Sequence, residues 1–335
     1  MKILLLSGGK SAEHKISEVS AMFVRKVLEE SGHEVIQVQI SIDGDWSVEG
    51  IPLDISTGHS IWKLLRKGSE IDFDVVFPVL HGPWGEDGSV QGLCMSAGWP
   101  CAGADVMTSS IAMNKITTKE LVSSRGIPVL KWMKFTVRNP PVIESLTPLQ
   151  YPVFVKPARM GSSIGISRVD SPDMLQAAVN LAFRYDSLIL VEEGLTNPRE
   201  IEVAVLSESG SVSSSVAGEI VPGLQWYDYT AKYDCEESQL LIPAPLSGAL
   251  SDEIRAAAEE CFSVINGGGF ARVDFLLDRD GKYYFNEINT IPGFTEISMF
   301  PKLWNASGVS PSEVIERIIG EALRSNHFDP VEVKQ

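Results

Sequence analysis

The feature that most constrains this chain is the alternation at its start. Lys2–Leu6 is a short apolar run ending in Ser7-Gly8-Gly9, and Val19, Phe23, Val27 and Leu28 then recur at helical spacing. Gly32-His33 closes that helix, and Glu34–Ile40 alternates as a second strand. Ile71–Leu80 reads as a third strand, with a further helix starting near Ser89. Strands separated by a helix cannot pair as a tight hairpin, so the pattern predicts a parallel sheet over roughly the first hundred residues.

At 335 residues the chain exceeds what one core organises, which predicts about two or three domains. A second unit runs from Gly103 to about Glu192, opening with a helix over Ser110–Ser124 and carrying two strands around a glycine-rich loop. The remainder holds strands at Glu200–Leu206 and Ala271–Asn289, helices at Ser251–Ile265 and Ser310–Arg324, and an aperiodic loop at Tyr227–Ser238. Loops of that length are usually functional. The net charge of −16 argues against nucleic acid or an acidic membrane surface as partner, though not against ATP, whose phosphates need only a few placed cations. Apolar runs such as Val75–Leu80 are too short to span a bilayer. No cleavage pattern follows Met1-Lys2, and Cys94, Cys101, Cys235 and Cys261 are scattered. Free thiols in the cytoplasm are the expectation.

The densest chemistry lies near the C-terminus. Ala271–Leu277 and Lys282–Asn289 flank Asp278-Arg279-Asp280-Gly281, a hairpin signature. With an even-length turn, pairing parity puts Arg272, Asp274, Glu287 and Asn289 on one face, and an odd turn would break the inference. Carboxylates so close repel unless a cation relieves them, and magnesium takes a few carboxylates with water and phosphate oxygens. A solvated sheet face with ordinary acids would read the same way. The tight turn Asn289–Phe294 adds backbone N–H groups beside that face.

Tyr151–Pro157 is a strand carrying Lys156, and it enters Ala158–Gly165. There Gly161 and Gly165 allow sharp turns, and the amides and hydroxyls of Ser162 and Ser163 can meet phosphate oxygens. No Gly-Lys-Ser/Thr opens a helix, so this is not a Walker loop; a plain hairpin turn is the alternative. Lys115 offers a second phosphate cation or is simply a surface lysine. Ile189–Leu195 is a strand running into a hinge that can present backbone groups to an adenine, with Glu200 placed for a ribose hydroxyl. His81-Gly82-Pro83-Trp84-Gly85-Glu86-Asp87-Gly88 sits where a parallel strand ends, the end at which such sheets bind ligands. Glu13 and Glu86 can share that crevice and bind an ammonium, although Glu13 also suits a helix first turn.

Taken in order, these segments resemble the D-alanine–D-alanine ligases of the ATP-grasp superfamily over nearly the whole chain. His81–Gly88 matches the His-Gly-x-x-Gly-Glu-Asp-Gly signature, and Val155–Gly165, Tyr227–Tyr233, Arg272–Asp274 and Glu287–Gly293 match further blocks. The resemblance implies an α/β, three-domain ATP-grasp architecture: an N-terminal parallel-sheet domain (1–103), a central subdomain (104–192) and a C-terminal subdomain with the metal site (193–335). By position, Lys115, Lys156 and Ser163 would meet ATP phosphates, with Glu192, Glu193, Leu195 and Tyr227 around the nucleotide and Glu200 at its ribose. Asp274, Glu287 and Asn289 would bind two magnesium or manganese ions. Glu13 would orient the first D-alanine near His81 and Glu86, Arg272 and Gly293 would stabilise the oxyanion, Ser298 would hold the second substrate's carboxylate, and Lys232 would bind substrate as it closes over the site. Tyr233 would close over the site, linked to Ser162 and Glu13. A cytoplasmic homodimer making D-alanyl-D-alanine for peptidoglycan is what the family implies. The rivals are a D-alanine–D-lactate or D-serine ligase, another ATP-grasp carboxylate–amine ligase, and a non-catalytic nucleotide-binding module. His14-Lys15 and Ile297 depart from the commoner family residues.

Overall fold

Seven strands, four of them short, form the first sheet of the computed structural model, which describes residues 1–57, 61–222 and 239–325. Strand β1 (Lys2–Gly8) lies at its heart and pairs in parallel with β2 (Glu34–Ile40) and β7 (Val75–Pro78), the crossover to β2 being helix α1 (His14–Glu30). These three strands are the parallel sheet expected for this region. The chain between β2 and β7 adds β3 (Trp46–Val48), β4 (Ile51–Ser56), β5 (Lys63–Arg66) and β6 (Ser69–Ile71) as an antiparallel extension, in the order β6-β5-β4-β3-β2-β1-β7. The strand expected over Ile71–Leu80 is therefore two, because the Asp72–Asp74 stretch breaks it.

Helix α1 also turns by part of a face from its expected setting. Val19 is 48% exposed, while Ile16, Ser17, Ser20, Ala21, Val24, Val27 and Leu28 are buried. Small residues bury here because the hydroxyls bond the sheet: Ser17 Oγ donates to the Val79 carbonyl and accepts from the Gly8 N–H.

Helix α2 (Ser89–Ala97) begins where predicted. The single helix expected over Ser110–Ser124 is two, α3 (Val106–Met113) and α4 (Lys115–Ser124). Asn114 adopts an extended conformation between them, and its side chain accepts the N–H groups of Ile116 and Thr117, capping α4. That break starts α4 at Lys115.

The central sheet is antiparallel, in the order β10-β9-β11-β8, from β8 (Trp132–Thr136), β9 (Val153–Pro157), β10 (Ser167–Val169) and β11 (Leu188–Glu193), with α5 (Leu175–Ala182) covering one face. The third sheet, β14-β13-β12-β15-β16, is built from β12 (Arg199–Glu208), β13 (Ser211–Val221), β14 (Gln239–Leu241), β15 (Phe270–Leu277) and β16 (Tyr283–Asn289). Helices α6 (Gly248–Val264), α7 (Met299–Ala306) and α8 (Pro311–Ser325) cover it. One apolar cluster runs from Ile3, Leu5 and Phe77 of the first sheet through Ala204 and Leu206 of the third to Ile315 and Ile318 of α8. The first and third sheets therefore share a core, and the site forms where the other two meet it.

Candidate active site

A cleft with room for about 330 Å³ opens between the central and third sheets. Strand alternation makes its walls. Val153, Val155, Ile189 and Val191 turn into the central core, which leaves Phe154, Lys156 and Glu192 on the cleft side. Glu200, Leu276, Asn286 and Glu287 face them from the third sheet. Glu193 and Leu195 line the end of the cleft where β11 leaves the sheet. At the rim, Ser162 and Ser163 take left-handed conformations with φ of 50° and 58°. The Ala158–Gly165 segment is thus a bent loop, and the side chains of both serines reach the cleft.

Lysines form one side of this cleft, none of them a loose surface group. Lys115 is 9% exposed, and its Nζ lies 2.9 Å from Glu287 Oε2 and donates to the Met160 carbonyl at 2.8 Å. Lys156 Nζ donates to Glu192 Oε2 at 2.8 Å. The other Glu192 oxygen is 2.6 Å from Nζ of Lys119, a residue the sequence reading passed over. Burial pushes the Lys119 ammonium down despite its carboxylate partner. For Glu192, burial favours the neutral acid, but the two lysines outweigh it and hold the carboxyl below its ordinary value. The Glu192 side chain is committed to lysines rather than displayed to a base.

The acids of the C-terminal hairpin share one face, though not by the route expected. Residues Asp278 to Lys282 form an odd-length turn, since Leu277 pairs with Tyr283. Unbroken pairing would send Glu287 to the opposite face, but a β-bulge at Asn286 shifts the register so that Asp274 pairs with Glu287 and Arg272 with Asn289. On its other side Asp274 pairs with Glu202 of β12, another residue the sequence reading missed. Glu202, Asp274 and Glu287 therefore stand in a row across three strands. Arg272 neutralises part of it, donating through Nε and Nη2 to Asp274 at 2.7 and 2.8 Å, with Glu202 at 3.1 Å. Burial opposes its charge, yet Asp274 and Glu202 lift its pKa well above the ordinary arginine value.

The third part of the site joins the first sheet to the others. Glu13, at the start of α1, leaves its own helix uncapped and accepts a hydrogen bond from Ser162 Oγ. Its carboxylate lies where a Gly82 side chain would be, since a Cβ there would come within 2.5 Å of Oε2. His81 Nδ1 donates to the Ile291 carbonyl at 2.8 Å, so Nε2, 3.0 Å from Ser20 Oγ, accepts from that hydroxyl when the ring is neutral. Ser20 Oγ in turn accepts the Phe294 N–H at 3.4 Å. Burial opposes charge on His81, but Glu86, Glu13 and the Ile291 carbonyl together raise its pKa. Burial likewise raises the Glu86 carboxyl, reinforced by the charge of Glu13. Ser298 precedes α7, and its Oγ accepts the Thr295 N–H at 3.0 Å and packs against Gly293. Neighbouring Ile297 is 76% exposed.

Tyr227, Lys232 and Tyr233 lie outside the described residues.

A family model described as D-ala D-ala ligase N-terminus matches residues 2–104, and one described as D-ala D-ala ligase C-terminus matches residues 121–320. The chain belongs to the D-alanine–D-alanine ligase family. It is 40% identical over 351 residues to the D-alanine–D-alanine ligase of Thermoanaerobacter sp. (strain X514), covering 97% of each chain. The Streptococcus uberis ligase is 40% identical over 96% of this chain and 95% of its own. Among solved structures, the Coxiella burnetii D-alanine–D-alanine ligase superposes with a TM-score of 0.87 at 32% identity, covering 97% of this chain and 94% of that one. The VanG D-Ala:D-Ser ligase from Enterococcus faecalis gives 0.86 at 33% identity, covering 96% and 99%.

As a member of the D-alanine–D-alanine ligase family, the chain has the ATP-grasp fold and is an ATP-dependent ligase. Its hairpin donors suit a hard cation: two carboxylates and an amide, with Asn289 Nδ2 turned to Asp274 at 3.0 Å so that the amide oxygen is presented separately. Among the described residues no helix is long and apolar enough to cross a membrane.

Proposed function

We propose that the chain joins two D-alanines into D-alanyl-D-alanine, for peptidoglycan precursors, through a D-alanyl phosphate made from ATP. The observation that carries this reading is the adjacency of three parts: a lysine-lined cleft, a row of carboxylates bound to Arg272 and Lys115, and the Glu13–Ser162 contact joining both to the first sheet.

A carboxylate is a poor electrophile, so amide formation requires its activation. The first D-alanine carboxylate attacks the γ-phosphorus of ATP and ADP leaves, giving an acyl phosphate. Lys115 and Lys156 sit in the cleft to take the phosphate charge, and Ser162 and Ser163 to contact it from the loop. Glu193, Leu195 and Glu200 enclose the nucleoside end. Asp274, Glu287 and Asn289 would hold magnesium or manganese, which neutralises phosphoryl charge when bound. Glu13, with His81 and Glu86 behind it, orients the first substrate's ammonium. The amine of the second D-alanine then attacks the acyl carbon, phosphate leaves and the amine sheds a proton. Arg272 and the Gly293 N–H stabilise the intervening oxyanion, and Ser298 holds the second carboxylate. Tyr227, Lys232 and Tyr233 belong to this reading as residues that close the site against water. Residues 1–103, 104–192 and 193–335 are its three domains, and a cytoplasmic homodimer its assembly.

The test is phosphate release from ATP and magnesium with D-alanine as the only amino acid and L-alanine as control. Release that requires D-alanine, with dipeptide formed, is the expected result. Release only after D-lactate or D-serine is added would replace the second substrate and keep the site.

A further inference from the structure

Lys119 occupies a place that stability alone does not explain. It is 1% exposed, as is Glu192. Glu192 already has Lys156 as a partner at 2.8 Å, and a single buried ion pair is neutral. A second buried ammonium costs desolvation that the shared Glu192 carboxylate and the charge of Glu287 do not fully offset, since its pKa stays lowered, a poor way to stabilise a fold. The ammonium lies directly behind the cleft wall, in contact with Glu192, which lines it. Lys119 itself is not among the residues lining the cleft, whereas Lys156 and Glu192 are.

The same ammonium reaches the opposite wall. Nζ donates to the Phe285 carbonyl of β16 at 3.2 Å and lies 5.7 Å from the centre of that residue's ring. The Phe285 N–H donates at 2.8 Å to the carbonyl of Pro128, in the segment after α4. Both backbone groups of Phe285 are thus held by α4 or the chain that leaves it, one residue before the bulged Asn286 and two before Glu287. One side chain of α4 therefore touches a carboxylate of the central sheet and a carbonyl of the third sheet.

We propose that Lys119 is a positioning residue for the nucleotide: it orients Glu192, and through it Lys156, on one wall of the cleft, and holds β16 at a set distance on the other. This rests on the reading that the cleft binds ATP. Lys119 touches neither substrate nor reacting atoms, and it acts by fixing the geometry and charge of groups that do.

The test compares the full-length wild type with Lys119→Met and Lys119→Met/Glu192→Gln, measuring KM for ATP, KM for D-alanine, kcat and Tm in magnesium. Methionine preserves most of the volume and removes the charge. The double variant removes the buried carboxylate as well, so its Tm is expected to exceed that of Lys119→Met. Both variants are expected to raise KM for ATP by about tenfold, the usual size of a loss in a supporting shell. KM for D-alanine should stay within about twofold. A merely structural lysine would lower Tm and leave the ratio of the two KM values unchanged. KM for ATP within about twofold of wild type in Lys119→Met, or in the double variant should the single one fail to fold, would overturn the inference and spare the nucleotide reading. Failure of the wild type itself to saturate with ATP would overturn both.

Discussion

In and behind the cleft, four cationic side chains (Lys115, Lys119, Lys156 and Arg272) are set against Glu192, Glu202, Asp274 and Glu287 in contacts between full charges. Where the first sheet meets the others, Ser20, His81, the Ile291 carbonyl and the Phe294 N–H form a chain of hydrogen bonds that fixes direction, beside the carboxylates of Glu13 and Glu86. The contrast suits two tasks. Charge neutralisation acts on a phosphoryl group and tolerates a range of positions, whereas orienting a small amino acid needs hydrogen bonds of defined angle. The cleft should therefore fail through loss of charge, and the junction through loss of geometry.

Breaking the cleft should have the largest effect. Asp274→Asn or Glu287→Gln removes an oxygen donor proposed to hold the metal, and turnover is expected to fall by about a thousandfold or more. Near-normal activity in either would refute the metal assignment. Lys156→Met comes next, with kcat/KM for ATP lowered about a hundredfold through a lost charge-assisted contact, checked by varying ATP at saturating D-alanine. At the junction the loss should be smaller and of another kind. Ser20→Ala unties Phe294 from His81, and kcat/KM for D-alanine is expected to drop about tenfold with KM for ATP unchanged. A Ser20→Ala enzyme whose defect appeared in ATP binding would erase the distinction drawn here. The smallest effect is on stability against pH. The folded pKa of Glu192 lies below its ordinary 4.5, so its stabilising contribution is complete above that pH and is lost as pH falls through the lower folded value. The stability gap between wild type and Glu192→Gln, measured by denaturant unfolding, should narrow as pH falls below the ordinary carboxyl value of 4.5.

What could be read in advance follows the same division. Elements whose signal is local were legible: Glu34–Ile40 is strand β2 residue for residue, and α2 starts at Ser89. The strands between Trp46 and Ile71 were not, because they are short and partly exposed. Helix α4 was read as continuous with α3 because Asn114 is only a modest helix breaker, and its capping bonds depend on the turn it makes. Within the site, glycines and carboxylates clustered in sequence were visible. Lys119 and Glu202 were not, since each is defined by distant partners, Phe285 being 166 residues from Lys119. Signals did exist: Lys119 follows Lys115 by one helical turn, and Glu202 interrupts an apolar strand on the same face as Glu200. The hairpin face was assigned correctly only because the bulge at Asn286 offsets the odd turn.

The hydrogen bond between Glu13 and Ser162 has a thermodynamic corollary. It joins Glu13, proposed to orient the amino acid, to the loop proposed to contact the phosphates, 149 positions apart in the chain. A ligand that immobilises either partner reduces the entropy its counterpart must lose, and linkage requires that assistance to be mutual. If ATP tightens D-alanine by some factor, D-alanine must tighten ATP by the same factor, whichever arrives first. The two substrates would then load as a cooperative pair, with half-filled forms less populated than independent binding at the same concentrations would give.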